Sequence, residues 1–550
     1  MPTIEVSRSD LKRLVGKSFN LEKIAGWIKA EINVDEKDKD LIHVELKDVN
    51  RPDLFSAEGI AREIKLKLGI PFSYEIKKGN YVLKVNPKVK KVRPLIACSV
   101  VKNVKLDEKA IFQLIQLQEK LCENFGLKRK EAAIGIYDFD KIRWPVTYTT
   151  FKPDSISFVP LGFNKEMTLK EILQNHEKGK QYGHLIENAK EWPILIDSEK
   201  HILSMPPIIN SEYSGKVTEK TRNVFVEVTG FEKRFVFPCL MIMTLALAER
   251  KGKIETVKVK SRFKSMETPE TKKKQITVSK QEIEEVLGLK LKEKEIEKLL
   301  RKSGFEVKKK GKTLTLEIPY WRQDIMDARD VAEDVAITYG YNNFKAEQPT
   351  VISFGKLSRE SEFKKKVANM LIGFEAQEIT TFMLVSSDVF KKARVKVQAL
   401  EIANPISSNY KFLRTMLFPS LLEFFSLNKN ARYPQRIFEI GKVIEIEKDK
   451  RNKQKAIEKE KLCFAISNSR TTFTEIKQVL DHFLSSLGIV YELEETEHKS
   501  FIEGRVANIK IKNEVAGIIG EIHPAVLEKF NIVMPTALFE ISLDKLLKQR

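Results

Sequence analysis

Cysteine is scarce in this chain: Cys98, Cys122, Cys239 and Cys463 are the only four in 550 residues, far apart and without a CxxC pair. That spacing argues against a zinc ribbon or a disulfide framework and fits a reducing cytoplasm. Long hydrophobic runs are missing too. The longest, Phe237 to Ala248, is too short to span a bilayer and reads as a buried helix. The N-terminus lacks the basic-then-apolar layout of a signal peptide, so the expectation is a cytoplasmic protein with no membrane partner. There is no GxxxxGK[ST] phosphate loop, no GxGxxG after a strand, no HExxH and no GxSxG, which removes several common catalytic engines. The seven histidines are scattered. His523 sits in a turn-like Gly520-Glu-Ile-His-Pro524, but with no partner acid or nucleophile it reads as structural. Heptads, solenoid repeats and low-complexity tracts are also absent.

What is present begins with length and charge. A chain of 550 residues exceeds a single core and divides into about three to five domains. The formal net charge of +21, from 97 basic and 76 acidic residues, suits a polyanionic partner. A surface rich in both Lys and Glu suits ion-pair networks equally well.

Along the chain, Ser7 to Leu14 reads as a helix capped at Ser9 or Asp10, and Leu41 to Leu46 alternates as a strand. Pro52 favours a turn, and Ser56 opens a helical pattern. From about Tyr81 to Lys260 the texture becomes short strands separated by helices, and the charged Phe263 to Lys274 reads as a linker or exposed loop. In Gln275 to Phe344, Ser279 and Glu282 form a capping box, and helices ending at Gly288 and Gly304 precede a hairpin. Helix, helix and hairpin in this order describe a winged-helix-like module, with Lys308, Lys309 and Lys310 at the hairpin. The last third mixes helices with alternating strands such as Arg436 to Ile446, and the charged Glu447 to Lys461 reads as an exposed hairpin or loop.

Two places carry candidate chemistry. Asp324 to Asp334 places five carboxylates in eleven residues at the start of a helix near Ala328. Spacings of three and four put Asp330, Glu333 and Asp334 on one face, with Asp324 folding back and Val331 and Val335 facing a core. Oxygen ligands without Cys or His suit Mg2+; acidic residues also offset the dipole at a helix start, so both readings stand. The second place is Leu203-Ser-Met-Pro-Pro-Ile-Ile-Asn-Ser211, a loop stiffened by two prolines and ending in Asn210 and Ser211. It precedes the strand Phe225-Val-Glu-Val-Thr-Gly230, in which Glu227 and Thr229 share a face. These groups suit a small ligand or a water, and equally a turn followed by an edge strand.

Four ordered motifs run the length of the chain: Asn50-Arg-Pro-Asp-Leu-Phe-Ser-Ala-Glu-Gly-Ile-Ala-Arg-Glu63; Met205-Pro-Pro-Ile-Ile-Asn-Ser211; Trp321-Arg-Gln-Asp-Ile325 with Asp330, Glu333 and Asp334; and Asn404-Pro-Ile-Ser-Ser through Arg436-Ile-Phe-Glu-Ile-Gly441. Together they resemble the beta subunit of phenylalanine-tRNA ligase of the archaeal and eukaryotic cytosolic type. The resemblance implies an α+β multidomain fold. Its parts are an N-terminal α/β domain (1–80), an editing-type α/β domain (81–265), a winged-helix-like domain (270–346) and an inactive class II synthetase-like antiparallel sheet domain (350–550). It further implies an alpha2beta2 heterotetramer that attaches phenylalanine to its tRNA, with ATP used on the alpha subunit. In the last third, Arg436 and Glu439 resemble the second class II motif without an ATP-binding segment after it, so no adenylation chemistry is assigned to them. By the same resemblance Leu203, Ser211, Glu227 and Thr229 fall in a pocket that hydrolyses tyrosine wrongly attached to the tRNA, needed because a phenylalanine pocket rejects an added hydroxyl poorly. Asp324, Asp330, Glu333 and Asp334 match a Mg2+ site near the alpha contact. The chain departs from the family at Glu227, where Asp is usual, and at Gly230-Phe-Glu232, where Gly-Thr-Asp is usual. An alternative is a tRNA-binding and assembly scaffold whose editing pocket has decayed.

Overall fold

The computed structural model describes residues 2–262, 264–348, 354–448 and 454–549. They form two compact units, Met1–Gln348 and Pro349–Arg550.

The first unit opens with a three-stranded antiparallel sheet, Thr3–Ser7, Leu41–Leu46 and Ala30–Val34 in that order. In the central strand Ile42, Val44 and Leu46 are buried alternately, as the sequence alternation requires. The helix Arg8–Val15 starts one residue before the expected caps, since the Ser7 hydroxyl accepts from Asp10 N. Pro52–Leu54 makes one 3-10 turn, and Ser56 then caps the helix Ala57–Leu68 by accepting from Gly59 N. At Gly59 the helix lies so close to that turn that a Cβ would fall 1.7 Å from the Asp53 carbonyl oxygen. Only glycine permits the approach.

A ten-stranded mixed sheet follows. Its order is Ile209–Asn210, Ile202–Met205, Trp192–Ile196, Val146–Phe151, Ile76–Val85, Lys253–Lys260, Leu95–Lys102, Val224–Gly230 and Ala132–Asp138, with Ser265–Thr268 beside Lys253–Lys260. Two expectations change here. Strand Ile76–Val85 pairs with Lys253–Lys260 and Val146–Phe151, so the proposed division at residue 80 cuts a strand of this sheet. Within the expected linker Phe263 to Lys274, Ser265–Thr268 is an edge strand, and buried Thr268 donates to the Cys98 carbonyl at 2.7 Å; Phe263 lies outside the described residues. The apolar run forms the buried helix Lys233–Glu249, hydrophobic all round because the sheet covers one side and helix Ala57–Leu68 another.

The third element is the strand Gln275–Ser279, helices Lys280–Leu287 and Glu293–Lys302, the hairpin Glu306–Lys310 with Thr313–Glu317, and helix Ala328–Tyr339. The Ser279–Glu282 capping box is present, and Gly288 ends its helix in the left-handed conformation. At the basic hairpin, Lys308 pairs with Glu317 and Lys309 with Glu293, so two of the three lysines are already neutralised.

The second unit is built on a seven-stranded sheet with cores on both faces. Its pairings are antiparallel apart from Gln377–Glu378 on Gln435–Lys448, which is parallel and departs from the purely antiparallel expectation. Gln435–Lys448 and Gln454–Ser467 form one long hairpin, so most of the charged Glu447 to Lys461 belongs to its arms; residues 449–453 lie outside the described residues. No helix among the described residues is long and apolar enough to cross a membrane.

Candidate functional site

The two end strands of the ten-stranded sheet approach each other, and a cavity of about 350 Å3 opens between them. Its walls come from helix Glu108–Lys120, edge strand Ala132–Asp138, the loop Pro206–Asn210 and Glu227. Asn210 Nδ2 donates to the Ile136 carbonyl at 3.2 Å, tying loop to edge strand. Arg129 Nη1 donates to the Pro207 and Ile208 carbonyls at 3.0 and 2.8 Å, and its guanidinium lies 4.3 Å from the Tyr182 ring centre. Arg129 is held there by an unusual backbone: Leu127, Lys128 and Arg129 have φ of 51°, 53° and 63°, three consecutive left-handed residues without a glycine. Such conformations cost free energy and persist where surrounding contacts enforce them.

Glu227 is the acid of this cavity. It is 2% exposed, and Tyr137 Oη donates to its Oε1 at 3.0 Å while lying 2.7 Å from Ser204 Oγ. The other oxygen, Oε2, has no partner among the described residues. Burial pushes this carboxyl up to about 7, against the Tyr137 hydrogen bond and the Arg93 guanidinium, which favour the charged form. Opposite it stands Gly135, where a Cβ would lie 2.3 Å from Tyr137 Oη and 2.6 Å from Glu227 Oε1. A buried carboxyl pushed up to about 7, on a residue that lines the cavity and has one oxygen without a partner among the described residues, suits general-base chemistry.

The other three residues read from the sequence stand behind the wall. Thr229 shares the face of Glu227, but its Oγ1 and carbonyl accept from Arg93 at 3.0 and 2.7 Å. Leu203 is fully buried in the core with Tyr137 and Phe225. Ser211 caps the short helix Glu212–Gly215. The described lining contains no Ser, Thr, Cys or His. Tyr137, Arg93 and Arg129 escaped the sequence reading. They lie 90, 134 and 98 positions from Glu227 in the numbering, and nothing local marks them.

The acidic segment takes a different form from the one expected. The helix starts at Ala328, and Val331 and Val335 are in the core. The four carboxylates, however, do not converge. Asp324 and Asp334 both accept from Arg322, Nε to Asp324 at 2.8 Å and Nη2 to Asp334 at 2.9 Å. Asp330 Oδ2 accepts from the backbone N–H of Met326 and Asp327 at 2.6 and 2.9 Å, closing a capping box with Asp327. Glu333 faces outward and pairs with Lys29 at 2.8 Å. Among the described residues no group of three or more His, Cys, Asp or Glu is placed to hold a metal ion. Residues 324, 330, 333 and 334 as arranged here therefore do not fit one Mg2+, because a cation, the backbone and a lysine each hold part of the set.

Asp324, held by Arg322, instead meets Arg51 of another sequence motif. Arg51, from the first motif, donates to Asp53 (2.9 Å) and Glu63 (3.0 Å) and lies 3.9 Å from Asp324; Lys67 bonds Glu63 at 3.2 Å, Ser303 Oγ at 3.0 Å and Thr338 Oγ1 at 2.7 Å. Three cations and four carboxylates thus form one buried network. Burial opposes every charge in it, yet Lys67 and Arg51 hold Glu63 down at about 2, while burial outweighs Arg322 at Asp334 and raises that carboxyl.

Comparison with known proteins identifies the family. A family profile described as "Phenylalanyl tRNA synthetase beta chain CLM domain" matches residues 346–543, and one described as "tRNA synthetase B5 domain" matches 276–341. The phenylalanine–tRNA ligase beta subunit of Pyrococcus horikoshii is 44% identical over 556 residues, covering 99% of this chain and 100% of the relative. That of Methanocaldococcus jannaschii is 37% identical over 99% of this chain and 100% of the relative. The chain belongs to the phenylalanine–tRNA ligase beta subunit family. The crystal structure of an N-terminal fragment of the phenylalanyl-tRNA synthetase beta subunit from P. horikoshii, 46% identical, superposes with a TM-score of 0.60, covering 62% of this chain and 100% of the fragment.

Within this member of the phenylalanine–tRNA ligase beta subunit family, the region matched by the CLM profile buries Glu439 at 1% exposure. Arg414 Nη1 donates to its Oε1 at 2.7 Å and Thr381 Oγ1 to its Oε2 at 2.7 Å. Arg436, an odd number of residues away on the same strand, points to the other face and pairs with Glu375 at 2.6 Å. The two residues read together in the sequence therefore belong to separate contacts.

Proposed function

We propose that this chain serves as the beta subunit of an enzyme that attaches phenylalanine to its tRNA with ATP, in an alpha2beta2 assembly whose adenylation chemistry belongs to the alpha chain. The observation that carries this reading is identity of 44% to a named beta subunit along the full length of both chains. The engagement of both Glu439 oxygens by Arg414 and Thr381, in a residue 1% exposed, supports placing synthesis on the partner. This chain contributes assembly, tRNA binding and an inactive synthetase-like unit. Aminoacylation assayed with each chain alone and with both together tests it. Activity of this chain without a partner refutes the division of labour.

For the cavity, the reading is hydrolytic editing of Tyr-tRNA, with Glu227 as the base that activates a water. Its support is that Glu227 lines the cavity, that its Oε2 has no partner among the described residues, and that burial pushes its carboxyl up to about 7. No step runs through Mg2+. Deacylation of Tyr-tRNA by the assembled enzyme no faster than without enzyme refutes this part alone. A second reading, a tRNA-binding and assembly scaffold without editing, is favoured by one observation: of Leu203, Ser211, Glu227 and Thr229, only Glu227 lines the cavity.

A further inference from the structure

A second cavity of the first unit, about 330 Å3, lies between the start of helix Lys233–Glu249 and the segments 270–274 and 318–323. Its wall carries Lys233, Arg234, Lys272, Lys274 and Arg322 against a single carboxylate, Glu270. Arg234 is paired with Glu232 at 2.7 Å. Lys233, Lys272 and Lys274 pair with no carboxylate among the described residues. The N-cap is Glu232, whose side chain makes no capping bond and pairs with Arg234, and the first turn carries Lys233 and Arg234 without an acid.

The decisive group is Arg322. It is 3% exposed, and Nε and Nη2 are taken by Asp324 and Asp334, but Nη1 has no hydrogen-bond partner among the described residues. A buried guanidinium nitrogen without an acceptor is costly unless an acceptor arrives. Phe237 and Tyr320 add aromatic surface to the same wall, and Lys233 already lies 5.3 Å from the Phe237 ring centre.

We propose that this cavity binds a phosphate group carried by a nucleotide unit, either free or within an RNA strand. Arg322, the three unpaired lysines and the backbone N–H groups of Lys233 and Arg234 supply the donors, and an anion here also offsets the charge of Lys233 at the helix start. The aromatic walls suit the flat face of a base. The site is separate from the Glu227 cavity and does not depend on the editing reading.

The test is calorimetric titration of the full chain, in its assembled form, with inorganic phosphate, adenosine 5′-monophosphate and a short single-stranded RNA, chloride holding ionic strength constant. The comparison protein is Lys272→Glu/Lys274→Glu, whose two exposed side chains leave the core untouched. Saturable phosphate binding that weakens at least ~10-fold in the double variant is expected, while its urea midpoint without phosphate stays equal or rises because repulsion is relieved. Tighter binding of RNA than of the mononucleotide, lost in the same variant, assigns the site to a strand; the reverse order, equally lost, assigns it to a free nucleotide. No saturable heat with any of the three probes, or equal affinity in wild type and variant, overturns the proposal.

Discussion

Replacing Glu63 by Gln tests whether the buried charge network stabilises the first unit. The substitution keeps shape and a hydrogen-bond acceptor for Arg51 while removing the charge that faces Arg51 at 3.0 Å and Lys67 at 3.2 Å. Burial by itself raises this carboxyl, but Lys67, Arg51 and Arg322 reverse the effect and hold it at about 2 instead of 4.5. At about 1.4 kcal/mol per tenfold change in proton affinity, that is about 3 kcal/mol of stability at neutral pH. The folded-state value is the lower one, so the contribution is complete above the unfolded value and disappears as pH falls through the folded one. Linkage then leaves about 1.4 kcal/mol at pH 3. Urea is the right denaturant because it does not screen ion pairs. All four tryptophans, Trp27, Trp144, Trp192 and Trp321, lie in the first unit, so intrinsic fluorescence follows that unit alone. Glu63→Gln should therefore be less stable by about 3 kcal/mol at pH 7 and by less than half of that at pH 3. A difference below about 1 kcal/mol at pH 7, or one of equal size at both pH values, refutes the assignment.

Three further outcomes are expected. Glu227→Gln lowers deacylation of Tyr-tRNA about 10²- to 10⁴-fold; the wild-type rate rises with pH through about 7 as the carboxyl ionises, and the variant's profile is flat there. Gly135→Ala drives a methyl against Tyr137 Oη and Glu227 Oε1, costing about 1–3 kcal/mol and displacing Glu227, read as a lower urea midpoint with reduced deacylation. Arg250→Met leaves buried Asp10 and Glu58 without the guanidinium that bonds them at 2.8 and 2.7 Å, and lowers stability of the first unit by about 3–5 kcal/mol at pH 7. Loss of less than about 1 kcal/mol shows that solvent reaches that pair.

Local signals predicted local structure well, because caps and alternation act within a few residues. Ser56, Ser279 with Glu282, and Gly288 cap or end helices where their types indicate, and the apolar run 237–248 is a buried helix. The acidic helix begins at Ala328, with Val331 and Val335 inward, as its periodicity requires. Where strands pair with distant strands the reading slipped. Nothing within residues 76–85 or 265–268 shows that their edges meet Lys253–Lys260.

Sequence alone determined the family, because four motifs in order identify a chain without any knowledge of which side chains touch. It also determined that residues 324–334 must find positive compensation, since so many carboxylates cannot stand together unaided. Only the tertiary structure decided where that compensation comes from. Arg322 takes Asp324 and Asp334, Lys29 takes Glu333, backbone amides take Asp330, and Arg51 approaches from a motif some 270 positions earlier in the numbering. It likewise decided that Glu227, and not Thr229 two residues on, lines the cavity and keeps an oxygen without a partner among the described residues. The physical reason is the same in both cases: burial makes each charge depend on its nearest partner, and folding chooses that partner from anywhere along the chain.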